Sequence, residues 1–375
     1  MQKIFNYTRN LFAFVGIIFS MKKIVLTGGG TGGHIYPNLA LIPALKKNGF
    51  DVIYVGGEGD TLERRLTSPL DVEYHGLPTV KLVRGLSAKA VKNNLSIPFV
   101  LTRSVILGAR LLKDLNPDLI FAKGGYASLP LILAHGKIPL VCHESDLSLG
   151  ITNKIGKIVG AKILTANPVT KGECVGIPLR EELFTFDKSS ARKTLNIPST
   201  DSVLLVVGGS SGATALNNAV VKHLDTLTQS YTVVHVYGNK NFTPPKRTDK
   251  YIPIEYAKDM GLLYAVSDVV LSRAGATAVA ELSALRKKAL LVPLPKGVSR
   301  GDQLDNAILA KSMGARVLYE DGLDALPQEI DKTLHSPPME NTFGDTNGKI
   351  VEIIRDSMSR GEKCKNKKQS QNGLQ

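Results

Sequence analysis

The run Gly28-Gly29-Gly30-Thr31-Gly32-Gly33-His34 combines what anion binding and proton transfer require. Glycines permit positive φ and let backbone N–H groups approach a phosphate closely, and a helix N-terminus adds a dipole that favours anions. The histidine that follows has a pKa near neutrality and can take a proton from an attacking hydroxyl. A lone histidine is more often structural, but one at a strand-to-helix turn sits where open α/β sheets bind ligands. The same run contains a Gly-x-Gly-x-x-Gly match at Gly28, Gly30 and Gly33, which on its own also suits a dinucleotide. A dinucleotide site wants an acidic residue ending the second strand. That strand ends Tyr54-Val55-Gly56-Gly57-Glu58, which makes Glu58 a shifted candidate. No Gly-Lys-Ser/Thr ending follows the glycines, which disfavours a P-loop NTPase.

Two further clusters carry chemistry. His143-Glu144 follows the apolar run Leu140-Val141-Cys142 and leads into Gly150-Ile151-Thr152-Asn153-Lys154. Glu144 reads either as a helix cap or ion-pair partner, or as an acceptor-site carboxylate. Ser272-Arg273-Ala274-Gly275-Ala276-Thr277 opens a helix that carries Glu281 one turn further in. Such a turn offers N–H groups to phosphate, and the carboxylate can accept both hydroxyls of a ribose. The plainer reading pairs Glu281 with Arg286 or Lys287. Downstream, Gly301-Asp302-Gln303 and Asn306 offer polar side chains to sugar hydroxyls.

The elements that must position these groups are legible as strand, glycine loop and helix, written twice. Residues 22–27 form an apolar strand run before the first loop, a helix pattern spans 37–48, and 51–55 is the next strand. Residues 203–207 form a second apolar strand, followed by Gly208-Gly209-Ser210-Ser211-Gly212-Ala213 and a helix pattern from Leu216. Further strands are expected at 119–122, 140–142, 162–165, 232–237, 269–272 and 289–293. Two such openings half a chain apart predict two Rossmann-like domains with parallel sheets. The expected division is an extra N-terminal segment over 1–20, a first Rossmann-like domain over 21–182 and a second over 183–345. A C-terminal helix over 346–362 returns to the first domain, and a disordered tail covers 363–375. Residues 11–19 form an apolar run too short to span a bilayer, read as an over-extended start with Met21 as initiator, or as an anchor.

The 375 residues carry a formal charge of +14, with 43% apolar and 21% charged residues, an ordinary globular composition. The charge suggests an anionic partner, either a phosphorylated substrate, an anionic membrane surface or nucleic acid. Nucleic acid is the weakest option, because no stacking motif, zinc-finger spacing or helix-turn-helix signal is present. Cys142, Cys174 and Cys364 show no metal-ligand spacing and fit a reducing compartment. Residues 74–113 hold seven Lys and Arg and no Asp or Glu until the end, threaded with apolar residues such as Leu95, Phe99 and Ile106. This stretch reads equally as a helix with a solvated basic face and as a peripheral membrane patch.

Taken together, the ordered motifs resemble the MurG-type transferases. Residues 29–37 are similar to that family's first glycine loop, Lys123-Gly124-Gly125-Tyr126-Ala127-Ser128 to its second and 208–213 to its third. Gly150 to Lys154 and Arg273 to Thr277 with Glu281 match in order and spacing. The resemblance covers roughly residues 21–355. It implies the GT-B fold and inverting transfer of N-acetylglucosamine from UDP-N-acetylglucosamine to the C4 hydroxyl of the muramyl sugar of lipid I. The product is lipid II, made for peptidoglycan at the cytoplasmic face of the inner membrane. It also implies His34 and Glu144 as catalytic residues. Thr31, Gly32, Gly33, Tyr126, Asp146, Asn153 and Arg180 fall on the acceptor and cleft side. Ser210, Ala257, Arg273, Ala276, Thr277, Glu281 and Gln303 fall on the donor side. No cofactor or metal is expected. The chain departs from the pattern at Asp146, where a neutral amide is usual, and at Ser211 and Ile177. The rival readings are a nicotinamide oxidoreductase, which leaves the second glycine loop unexplained, a binding protein without turnover, and another GT-B lipid glycosyltransferase.

Overall fold

The computed structural model describes residues 21–79, 88–208, 213–238, 242–296, 301–342 and 344–372, the side chains of 88–93 and 360–372 excepted. The expectations for residues 1–20, for Lys81, Arg84, Lys89 and Lys92, and for Ser210 and Ser211 lie outside those residues or side chains.

The strands are β1 (Lys22–Thr27), β2 (Phe50–Gly57), β3 (Glu73–Leu77), β4 (Leu119–Ala122), β5 (Leu140–Glu144), β6 (Lys162–Thr165), β7 (Glu173–Cys174), β8 (Ser202–Val207), β9 (Tyr231–Val236), β10 (Tyr251–Ile254), β11 (Val269–Ser272), β12 (Ala289–Leu291) and β13 (Arg316–Val317). The α-helices are α1 (Gly32–Lys47), α2 (Leu62–Thr67), α3 (Ala88–Leu115), α4 (Leu129–Ala134), α5 (Ile151–Ile158), α6 (Lys188–Leu195), α7 (Thr214–Lys222), α8 (Leu224–Ser230), α9 (Met260–Val266), α10 (Ala276–Ala284), α11 (Asp302–Ser312), α12 (Leu326–Leu334) and α13 (Thr346–Asn372).

Two sheets form, in the orders β3-β2-β1-β4-β5-β6-β7 and β10-β9-β8-β11-β12-β13. The ladders that join neighbouring strands are parallel. Parallel sheets bury both faces, which is why their central strands read as unbroken apolar runs. In β1, Ile24 and Leu26 join a core with Leu41 and Leu45 of α1, while Val25 faces Leu112, Leu131 and Ile132 on the other side. The second sheet repeats this, with Val203 and Leu205 on one face and Leu204 and Val206 on the other.

Each order reverses once, between β1 and β4 and between β8 and β11. Open α/β sheets bind ligands outside the strands' carboxyl ends at such switch points. The first and second glycine loops flank the first switch point. The end of β8, just before Gly208, and the Arg273 turn flank the second.

The structure differs from the sequence expectations at the start of α1, at the sheet edges and at the C-terminal end. Helix α1 begins at Gly32 rather than Pro37, so the glycine loop itself supplies the helix N-terminus. Strands β3, β7, β10 and β13, the edge strands of the two sheets, were not expected, being short or broken in pattern. Pro253 within β10 is tolerated there because an edge strand has a free side. Helix α13 carries Ile350, Ile354 and Met358 into the core of the first sheet. It also continues to Asn372, through a segment expected to lack regular structure. The Lys- and Gln-rich composition that suggested disorder also has high helix propensity.

Candidate active site

The first switch point is built by close contact between two glycine loops. Gly30 has φ +88°, and a Cβ there would fall 2.3 Å from the Tyr126 ring. Gly125 has φ +79°, and a Cβ there would lie 2.4 Å from the Gly29 carbonyl oxygen and 3.0 Å from Cδ2 of His34. Both positions therefore demand glycine on conformation and on space. The contacts put the His34 imidazole against the second loop and Tyr126 over the first. Beneath them, the buried Tyr54 hydroxyl donates to the Gly28 carbonyl at 2.8 Å. The buried Glu63 accepts the Gly57 N–H at 3.1 Å and the Gly30 N–H at 3.4 Å, tying the loop to β2. Thr31 is the N-cap of α1 and makes no side-chain cap bond. Thr31 and Gly33 are exposed, and Gly32 and His34 are half-buried.

Glu144 ends β5 in a buried position. Its Oε1 accepts the Asp146 N–H at 3.2 Å, and its Oε2 accepts the Gly150 N–H at 2.8 Å and the Asn153 amide at 2.9 Å. Asn153 also donates to the His143 carbonyl at 3.1 Å. Glu144 and Asn153 thus hold the loop between β5 and α5, and Asp146 lies half-buried within it. This geometry gives Glu144 a loop-holding place rather than that of a free base. His143, the other titratable group of the pair, is fully buried with Nε2 on the Gly176 carbonyl at 2.8 Å. Burial drives its pKa well below the usual value, so it is a neutral core residue.

At the second switch point, β11 leads through Arg273, Ala274 and Gly275 into α10. Gly275 is the N-cap and has no side chain to offer, so the first turn, with Ala276 and Thr277 half-buried, faces outward at the helix's positive end. The Arg273 guanidinium points inward instead, to Glu320 at 2.6 Å and to the Val292 carbonyl at 3.1 Å. Glu281 lies on α10 at 8% exposure. Its Oε2 accepts the Tyr264 hydroxyl at 2.9 Å, and Oε1 stands 3.7 Å from the Arg180 guanidinium. Burial raises the Glu281 pKa against the opposing pull of Arg180 and Tyr264. Gln303, near the start of α11, accepts the Leu294 N–H at 3.0 Å. Ala257 precedes α9 and packs on the core of this sheet.

The two switch points meet across a cleft. Tyr36 of α1 and Tyr256 share a hydrogen bond of 2.6 Å. The Arg180 guanidinium lies over the Tyr36 ring, 5.1 Å from its centre, while it faces Glu281. Ala166 and Ile177 pack on Ala280 of α10. The structure therefore brings the α1 end with His34 and Tyr36 to one side and the α10 end with Ala276, Thr277 and Glu281 to the other, with Arg180 between Tyr36 and Glu281, while Asn153 lies buried within the first domain. Sequence reasoning missed Tyr36, Glu63, Tyr256 and Tyr264. Their signal was their spacing beside motifs already singled out, and nothing in their types announced it.

The comparisons agree with this arrangement. Residues 24–165 match the glycosyltransferase family 28 N-terminal domain, and residues 203–358 match the glycosyltransferase family 28 C-terminal domain. A UDP-N-acetylglucosamine--N-acetylmuramyl-(pentapeptide) pyrophosphoryl-undecaprenol N-acetylglucosamine transferase of Lachnospira eligens is 40% identical over 357 residues, 90% of this chain and 99% of its own. The protein of the same name from Clostridium perfringens is 36% identical, covering 89% of this chain and 98% of its own. Among solved structures, Acinetobacter baumannii MurG aligns with a TM-score of 0.64 at 25% identity, covering 89% of this chain and 99% of that one. The UDP-GlcNAc 2-epimerase of Neisseria meningitidis shares the fold at a TM-score of 0.58 and 14% identity, over 90% of this chain and 100% of that one. With two GT-B halves and a relative matched along nearly its whole length, this chain belongs to glycosyltransferase family 28, as a UDP-N-acetylglucosamine-dependent transferase of the MurG type.

Proposed function

We propose that the protein transfers N-acetylglucosamine from UDP-N-acetylglucosamine to the C4 hydroxyl of the muramyl sugar of lipid I, forming lipid II and releasing UDP. The observation that carries this reading is the juxtaposition of the two switch points, with the His34 end of α1 and the Glu281 helix on facing walls. The relatives' names supply the substrates.

In this scheme the donor sits on the second sheet. Glu281 accepts the ribose hydroxyls, the N-terminus of α10 at Ala276 and Thr277 and the Ser210 loop meet the diphosphate, and Ala257 meets the uracil. Gln303 reaches the sugar. The acceptor's diphosphate sits on the first loop at Thr31, Gly32 and Gly33, with Tyr126, Asp146, Asn153 and Arg180 lining the cleft. His34 removes the proton from the C4 hydroxyl as its oxygen attacks the anomeric carbon. The bond to UDP breaks in the same displacement, which inverts the configuration. The helix dipole and loop N–H groups stabilise the charge that grows on the leaving diphosphate.

The lipid-linked acceptor calls for a membrane surface, and α3 offers one. The most apolar 18-residue window within residues 94–115 has a mean hydropathy of 1.5, yet only 17% of it is buried. Leu107, Leu111 and Leu112 pack on the first sheet, so the helix lies along the domain. Phe99, 80% exposed, and the exposed Leu95 and Ile106 point away from it. Phe99 and Ile106 line an open groove with Arg103 and Arg110. Apolar side chains dip into the interface and cations meet anionic headgroups, which makes the enzyme peripheral on the cytoplasmic face of the inner membrane.

The test is UDP release by the purified protein given UDP-N-acetylglucosamine and a lipid I analogue, against other nucleotide sugars and other lipid acceptors. Release that requires both named substrates is expected. Equal release with a glycerolipid acceptor, or none with lipid I, overturns the reading.

A further inference from the structure

Lys123 is a charged side chain for which the transfer scheme has no use. It follows β4, where its N–H donates to the Thr27 carbonyl of β1 at 2.8 Å. Its side chain runs under the switch point at 1% exposure. The Nζ donates to Ser145 Oγ at 2.6 Å. Glu144 and Asp146 flank that serine. Burial pulls the ammonium's pKa down to about 8, and the fields of Glu144 and Asp146 oppose the pull.

A buried ammonium persists only where opposite charge compensates it, and removing one partner strands the rest. The compensation also runs the other way. Glu144 has spent both oxygens on loop N–H groups and the Asn153 amide, so no further donor is needed to hold it in place. Its buried charge, and that of the half-buried Asp146, nevertheless lie on the side of the first domain where the proposed scheme seats an anionic acceptor. With Lys123 the three groups sum to −1 (two carboxylates and one ammonium), and without it to −2.

We propose that Lys123 is a positioning residue for the acceptor: its ammonium, anchored on Ser145, cancels carboxylate charge that would otherwise repel the acceptor's diphosphate. This rests on the placement of that diphosphate at the first glycine loop. Its distinctive signature is charge bookkeeping: the harm done by losing Lys123 is undone by also losing Asp146.

The experiment measures donor and acceptor KM and kcat, with UDP-N-acetylglucosamine and a lipid I analogue, for Lys123→Met, for Lys123→Met/Asp146→Asn and for Gly33→Asp. Lys123→Met should raise the acceptor KM by about tenfold or more, with kcat and donor KM within about threefold, as loss of one nearby charge requires. The double variant should return to within about threefold of the parent. An unchanged acceptor KM, an even loss across kcat and both KM values, or no recovery in the double variant overturns the inference. Gly33→Asp adds a carboxylate at a position with open space around it and tests the site itself. If Gly33→Asp leaves the acceptor KM unchanged, the acceptor-site reading fails. If it raises that KM while Lys123→Met does not, only the present inference fails. Should Lys123→Met not fold, as judged by UDP binding, Asp146→Asn alone in the native background must lower the acceptor KM, and the absence of that fall overturns the proposal.

Discussion

Replacing Glu281 by glutamine should weaken nucleotide binding and at the same time stabilise the free protein. The carboxylate is buried, holds the Tyr264 hydroxyl at 2.9 Å and has Arg180 at 3.7 Å. Burial raises its pKa above the ordinary 4.5, and neither partner brings it back. A carboxyl with a raised folded pKa lends stability through its protonated form. That contribution is complete below 4.5 and disappears as pH rises through the folded value. Glutamine keeps the shape and an acceptor for Tyr264 but has no charge to desolvate. Above the folded pKa the variant therefore has the higher Tm, and the difference closes on acidification toward 4.5. The Arg180 contact is partly exposed and longer than a hydrogen bond, worth at most about 1 kcal/mol, so its loss only narrows the gain. The nucleotide feels the opposite effect. A ribose diol bonded to a carboxylate gains about 1.5–3 kcal/mol per bond, against about 0.5–1.5 kcal/mol for neutral partners, and the glutamine NH2 cannot accept at all. A net loss of about 1.5–3 kcal/mol corresponds to roughly 10- to 150-fold in the UDP Kd. Calorimetric UDP titration and melting curves at several pH values read both quantities. A UDP Kd within about threefold of the parent, or a lower Tm at neutral pH, refutes the reasoning.

Three further outcomes follow from the site. His34→Ala should lower kcat by about 10²–10⁴-fold with UDP affinity unchanged, the scale of general-base catalysis, and a smaller loss in steady-state assays removes His34 from that role. Tyr54→Phe strands the buried Gly28 carbonyl, which now takes its hydroxyl at 2.8 Å, and should cost about 1–3 kcal/mol in denaturant unfolding. Phe99→Ser and Ile106→Ser should each cut binding to anionic vesicles by about tenfold, the worth of one apolar side chain at an interface. Because both side chains are exposed, Tm and UDP affinity should stay as in the parent.

The βαβ rhythm and both switch points were legible because a buried parallel strand must be an apolar run and its turn must be glycine-rich. Residues 22–27 and 203–207 meet both conditions, and β1 and β8 lie inside their sheets, beside the switch points. The edges were not legible. Strand β3 contains Glu73, His75 and Gly76, and β10 contains Pro253, because an edge strand tolerates residues that a central one excludes. In the site, motif residues could be picked out, but the direction of their side chains could not. Arg273 stands in a phosphate-binding turn, yet its guanidinium turns inward to Glu320, a residue 47 positions further on. Glu144 has the type of a base and is consumed by its own loop. Which lone pairs are already spent is a three-dimensional property, and sequence spacing does not carry it.

The fold repeats, but the chemistry does not. Both sheets reverse at the same place in their order, and each offers a helix N-terminus there to an anion. What distinguishes them is buried charge. Behind the first switch point lies an ammonium, Lys123, facing two carboxylates. Within the second lies a buried carboxylate, Glu281, facing an arginine that reaches in from the connection between the sheets. A buried carboxylate one turn into a helix suits a diol and repels a phosphate, which on the proposed reading sets the ribose there and the diphosphate toward the helix end. The first loop has no such group at the corresponding turn of α1, where Tyr36 and Pro37 stand instead. The Gly-x-Gly-x-x-Gly spacing at Gly28, Gly30 and Gly33 is therefore a statement about backbone approach alone. On the proposed reading Glu281 takes the ribose in the second half, and that inverts the assignment the glycine pattern alone would suggest.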